Sequence, residues 1–177
     1  MSSAKSQDDE DKIPLSVIRK LPYQTLNRLI NKGRAFLKEN EVWQKVCAEH
    51  DEDPDIIDFI PIAFGNLDVS AKTTKGIIIL NYKLLGDADF KKDYSYIVHE
   101  ATHWLDQCFG SKATKSSDEG DYLANKFEQK AFSRQIQYIA HQEGEKEAEE
   151  YTDDLLEHHE KSGKEADKLK DVLMDKV

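Results

Sequence analysis

The apolar positions of this chain change their period twice, and each change predicts a different kind of element. From Ile13 to His50, residues such as Leu15, Ile18, Leu26, Leu29, Ile30, Leu37, Val42, Trp43 and Val46 recur at helical spacing. This predicts two or three helices, with Pro14 and Pro22 suited to first turns and a break at Gly33 or at Glu39-Asn40. After the turn-like Asp51-Glu52-Asp53-Pro54, β-branched and aromatic residues take over. Ile56 to Phe64, Leu67 to Ala71 and Gly76 to Tyr82 read as three short strands of an antiparallel meander, turning at Gly65-Asn66 and at Lys72 to Lys75. Pro61 suggests an edge or a bulge in the first strand. The unbroken run Gly76 to Asn81 suggests a strand covered on both faces, or one whose edge is used.

Helical spacing then returns. One helix is expected over Phe90 to Cys108, capped by Asp87 or Asp89, and Tyr94, Ile97, Val98, Ala101, Leu105 and Cys108 should bury most of it. A Ser-, Gly- and Lys-rich loop over 109–120 separates it from a second helix, Asp121 to His141. A charged helical pair over 143–177, broken at Ser162-Gly163, carries a thin stripe of Tyr151, Leu155, Leu169, Leu173 and Val177. The pattern describes an α+β protein with a tail at 1–12, too acidic to order itself, and one domain over 13–177 with its core at about 54–140.

Inside the first of these later helices stands His99-Glu100-Ala101-Thr102-His103, a His-Glu-x-x-His motif. Residues four apart share a helix face, so both imidazoles can reach one cation, and Glu100 stands beside it as a candidate general base. With 6 His and 16 Glu in the chain, about 0.016 such matches arise by chance, so the pattern calls for a chemical reading. Zinc suits it: a catalytic zinc takes three protein donors and keeps one position for water.

The third donor must come from downstream, because the next histidine after His103 is His141. Asp118, Glu119, Asp121 and Glu128 are the candidates; the first two fall in the loop, and Asp121 and Glu128 share a helix face. Glu128 is favoured over Asp121 because Phe127, Ala131 and Phe132 should hold it against the motif helix. His158-His159 is set aside as a metal site, since adjacent helical residues do not share a face.

A net charge of −10 argues against nucleic acid or an anionic membrane as partner; the only adjacent basic pairs are Arg19-Lys20 and Lys91-Lys92. No apolar run spans a membrane and Met1 to Lys5 lacks an apolar signal core, so a soluble, cytoplasmic protein is expected. Cys47 and Cys108 are read as buried reduced thiols.

With its motif, the apolar strand ending Ile79-Leu80-Asn81 before it and Glu128-Gln129-Lys130-Ala131-Phe132 after it, the chain resembles the small gluzincin-type metallopeptidases, many encoded by bacteriophages and bacteria. The resemblance covers residues 54–140 and implies a zincin-like fold. It further implies a zinc bound by His99, His103 and Glu128, Glu100 as general base, and hydrolysis of a peptide or protein substrate laid along a sheet edge. One departure is Phe132, where thermolysin-like members place an aspartate that orients a histidine; Asp106 is a candidate substitute. Tyr122, Tyr138 and His141 are candidates for stabilising the transition state. The alternatives are a zinc-clamped protein-binding or virion-associated module without catalysis, and a latent peptidase covered by its own terminal helices.

Overall fold

The computed structural model describes residues 15–18, 20–86, 91–110 and 121–177. The tail at 1–12, the expected caps Asp87 and Asp89, and the loop acids Asp118 and Glu119 lie outside the described residues. In chain order the elements are α1 (Leu15–Ile18), α2 (Tyr23–Lys38), α3 (Glu41–Ala48), β1 (Ile62–Gly65), β2 (Ala71–Thr74), β3 (Ile77–Asn81), α4 (Tyr94–Phe109), α5 (Lys126–Glu143), α6 (Glu145–His158) and α7 (Gly163–Leu173). Short 3-10 turns occupy Pro54–Asp58, Tyr82–Gly86 and Tyr122–Ala124.

The α+β class is as expected, but the sheet is not an antiparallel meander. Its order is β1-β3-β2, with β1 parallel to β3 and β2 antiparallel to it. The most apolar strand takes the centre: Ile78 and Leu80 of β3 are fully buried, with a neighbour on each side. Three local choices produce this arrangement. The Asp53 carboxylate accepts from the Asp55 amide and Pro54 starts a 3-10 turn, so Ile57 and Ile60 enter the core from a turn and β1 shortens to the residues after Pro61. The Asn81 amide donates to the carbonyls of Leu67 and Val69 at 2.9 and 2.8 Å, holding 67–69 as a loop that steps across the sheet. The turn joining β2 to β3 is Lys75-Gly76, with φ of 50° and 76°, as a two-residue hairpin requires, and this leaves Thr73 and Thr74 in the strand.

Asn40 rather than Gly33 divides the amino-terminal helices. Its side chain accepts from the amides of Val42 and Trp43 and caps α3. Gly33 lies within α2, where an added Cβ would sit 3.0 Å from the Tyr94 ring, so the glycine permits close approach of α4.

Two apolar clusters result. Leu37, Trp43, Val46, Ile57, Ile78, Leu80, Ile97 and Leu105 join α2, α3, the sheet and α4. Leu123, Phe132, Ile136, Ala148, Leu156 and Leu173 join α5, α6 and α7. The carboxy-terminal stripe behaves as expected through Leu173, which is buried, whereas Val177 is exposed. Cys47 is buried, its thiol pushed up to about 12 chiefly by burial, and Cys108 is exposed, contrary to expectation. Among the described residues no helix is long and apolar enough to cross a membrane.

Candidate metal centre

The site lies where α4 packs against α5, between the two clusters. Helix α4 buries Tyr94, Ile97, Val98, Ala101 and Leu105, and this fixes the direction in which its remaining face points. His99 and His103 share that face, their rings 4.9 Å apart, and the Phe132 ring lies 4.4 Å from the His99 ring, edge-on. Phe132 is thus a wall of the site rather than an orienting acid. Glu128 enters from the first turn of α5, whose start is fixed by the Asn125 side chain accepting from the Phe127 amide at 2.9 Å.

Three donor atoms converge. His103 Nε2 is 3.2 Å from His99 Nε2 and 3.1 Å from Glu128 Oε2, and His99 Nε2 is 3.4 Å from the same carboxylate oxygen. All three residues are buried, and as a group they could hold a metal ion. Burial alone would push the Glu128 carboxyl up, but hydrogen bonds from His103 and His99 outweigh it and hold the group well below the usual carboxylate range. Burial would likewise lower His103; the Glu128 carboxylate, with smaller contributions from Glu100 and Asp106, reverses the sign and raises it.

Glu100 is 8 % exposed, and its Oε2 accepts a 2.6 Å hydrogen bond from the Thr73 hydroxyl on β2. Glu100 is not one of the three converging donors, and its charge helps to raise both His103 and Tyr122. One turn further along α4 the Trp104 indole N–H donates to the Gly76 carbonyl at the hairpin tip, 3.1 Å away.

Asp121 does not join the group. It precedes the 3-10 turn, outside α5, and forms an ion pair with Lys161 at the α6–α7 junction. Asp106 does not orient either motif histidine: its Oδ1 accepts from His50 Nε2 at 2.8 Å and from Lys130 Nζ at 2.7 Å, tying the end of α3 to α4 and α5. His99 Nδ1 is buried with no hydrogen-bond partner among the described residues. Of the stabiliser candidates, Tyr138 is fully buried with its hydroxyl donating to the Lys91 carbonyl, and His141 faces Glu41. They lie about 15 and 20 Å from Glu128 along α5. Tyr122 is at the site, its ring centroid 6.1 Å from that of Phe132, and partial burial together with the nearby Glu128 carboxylate raises its phenol above the ordinary range. The expected burial of Phe127 fails; that ring is 40 % exposed.

Two neighbours escape the motif reading. Thr73 lies in the stretch read as a turn, and nothing in the local sequence marks it. His159 stacks on Tyr122 with ring centroids 5.4 Å apart and an interplanar angle of 14°, bringing the α6–α7 junction beside the site. Comparison of the chain with protein-family models, with curated proteins and with solved structures finds no match to any of them.

Proposed function

We propose that this chain is a zinc-dependent peptidase, with His99, His103 and Glu128 as metal ligands and Glu100 as general base. The observation that carries the reading is the triangle of donor atoms, with edges of 3.1, 3.2 and 3.4 Å. A tetrahedral ion with arms of about 2.0–2.1 Å spaces its donors about 3.3–3.4 Å apart, so the buried group has the dimensions such an ion needs before one binds. Two neutral imidazoles and one carboxylate are also a donor set that zinc takes in catalytic sites.

When bound, the ion supplies a polarised carbonyl and a water whose pKa falls from 15.7 toward about 7. The protein's own groups do the rest. Thr73 holds one oxygen of Glu100, leaving the other to take a proton from the attacking water and deliver it to the departing amine. Tyr122, close to Glu128 and 41 % exposed, stands as a donor at the rim. Strand β2 pairs with β3 on one side only, and an extended peptide added along its other edge would pass Thr73 and so lie next to Glu100. A metal-clamped binding module would have no use for a buried carboxylate held beside the ligands, and Glu100 therefore favours the peptidase.

The test joins metal analysis to cleavage of a broad peptide library. One zinc per chain is expected, lost in His99→Ala, with Glu100→Gln keeping the zinc and losing hydrolysis. Stoichiometric zinc without cleavage of any library peptide would replace the peptidase by the binding module, and absence of zinc would remove both.

A further inference from the structure

The far side of α5 carries a second constellation that the metal centre does not use. Lys126, Lys130 and Arg134 follow one another at four-residue spacing along this helix, forming a basic stripe. Like charges at that spacing oppose helix formation, so the stripe needs another explanation than helix stability. Lys45 of α3 and Lys176, beyond the end of α7, come to the same place from two other elements. The five cations line two hollows of about 290 and 370 Å³, which share Arg134 and Lys176. The carboxylates lining them are Glu49 and Asp175, leaving the lining with a net charge of +3 in a chain whose net charge is −10.

Two observations separate this groove from an ordinary solvated surface. Among the described residues, Lys45, Lys126 and Lys176 have no carboxylate within ion-pair distance, although the chain has 35 acidic residues. Arg134 is 8 % exposed, with one terminal nitrogen on Glu49 and the other on the Gln137 amide oxygen, and its Nε is buried with no partner. Three unpaired ammonium groups, set around a guanidinium that Glu49 and Gln137 already anchor, supply the point charges by which proteins hold phosphate. Ser133 and Gln129 add neutral polar groups to the same wall.

We propose that this groove binds a small multivalent phosphate, a pyrophosphate unit either free or as part of a nucleotide. The size fits: hollows of about 300 Å³ are at the small end of ligand sites and far too confined for a duplex. The charge fits as well, since three unpaired cations around a fixed guanidinium match an anion with several negative oxygens. The groove is chemically independent of the metal centre, although Lys130 also contacts Asp106 at the base of α4.

The test is calorimetric titration of the full chain with inorganic pyrophosphate and, separately, with ATP. The protein is first stripped of metal and returned to chelator-free buffer, because pyrophosphate itself binds zinc. Saturable binding at one site per chain is expected, weakening at least about 10-fold between 50 and 200 mM salt in accord with several charge contacts. Lys126→Gln and Lys176→Gln, both at exposed positions and so compatible with folding, should each weaken binding about 5- to 10-fold, and the pair together abolish it. His99→Ala should bind as the parent does, and this separates the groove from the metal centre whatever becomes of the peptidase reading. Equal affinity for pyrophosphate and ATP identifies the phosphate chain as the recognised group, and ATP tighter by about 10-fold extends the site to the nucleoside. No saturable binding of either anion, or binding indifferent to both lysine substitutions, overturns the proposal.

Discussion

Replacing Thr73 by valine isolates the contact that holds Glu100. The change exchanges a hydroxyl for a methyl with little change in volume, so the hydrogen bond is lost without a cavity. The Thr73 Oγ1 lies 2.6 Å from Glu100 Oε2 and 3.2 Å from the Glu100 carbonyl, and its single proton goes to the nearer, charged acceptor. Hydrogen bonds to charged groups contribute about 1.5–3 kcal/mol, and Glu100 is too buried for water to replace this one fully. The expected loss is about 2 kcal/mol, or a fall in Tm of about 4–8 °C for a chain of this length. Urea denaturation of the metal-free parent, Thr73→Val, Glu100→Ala and the double variant completes a cycle, in which a coupling of about 1–2 kcal/mol is expected. Thr73→Ser should restore most of the loss. In the cleavage assay Thr73→Val should lower kcat more than it changes KM, since the base and not the substrate loses its support. A coupling below about 0.5 kcal/mol would show that the contact does not hold the carboxylate, and the positioning argument would fail.

Other outcomes follow from the same geometry. Zinc present at about 1,000 times its Kd should stabilise the folded chain by about 4 kcal/mol, raising Tm by about 8–16 °C, and His103→Ala should abolish the rise in a thermal melt. In the metal-free protein the depressed Glu128 contributes stability above its unfolded pKa of about 4.3 that is lost as pH falls toward the folded value. The raised His103 contributes stability below about 6.5 that is lost as pH climbs through its folded value. The stability difference between the parent and Glu128→Gln should therefore be largest between about pH 4.5 and 6.5, which denaturation across pH checks. Asp106→Ala leaves the buried His50 ring without the acceptor of its Nε2 and should cost about 1–3 kcal/mol by chemical denaturation.

The candidate site is legible because its spacing is written locally. A four-residue interval on a helix brings His99 and His103 together whatever the rest of the chain does, and Glu128 could be chosen from a short list by asking which acid has apolar neighbours. Glu128 converges with the two histidines although Phe127, one of those neighbours, is exposed; Ala131 and Phe132 are buried, and the Phe132 ring meets His99. The sheet was less legible. Apolar runs mark which segments are extended but not their order, and the Ile56 to Ile60 run was diverted into a turn by Asp53 and Pro54. The Leu67 to Val69 carbonyls are satisfied by a side chain, Asn81, fourteen and twelve residues away, which no periodicity reveals. The Asp106–His50 bond and the basic groove were hidden for the same reason: each joins α3 to later helices, and distance along the chain conceals it. Adjacent basic pairs were a poor guide to where positive charge collects, because the stripe on α5 is assembled at helical intervals.

The hairpin of β2 and β3 is stitched to α4 twice, by Thr73 at Glu100 and by Gly76 at Trp104, and the two stitches lie one helical turn apart. Its tip turn is only two residues long, Lys75-Gly76. Two hydrogen bonds and the β2–β3 ladder hold this wall in register with the base it supports. The opposite side of the site is held by the stacked Tyr122 and His159 rings and the Asp121–Lys161 pair, over the apolar cluster that joins α5, α6 and α7.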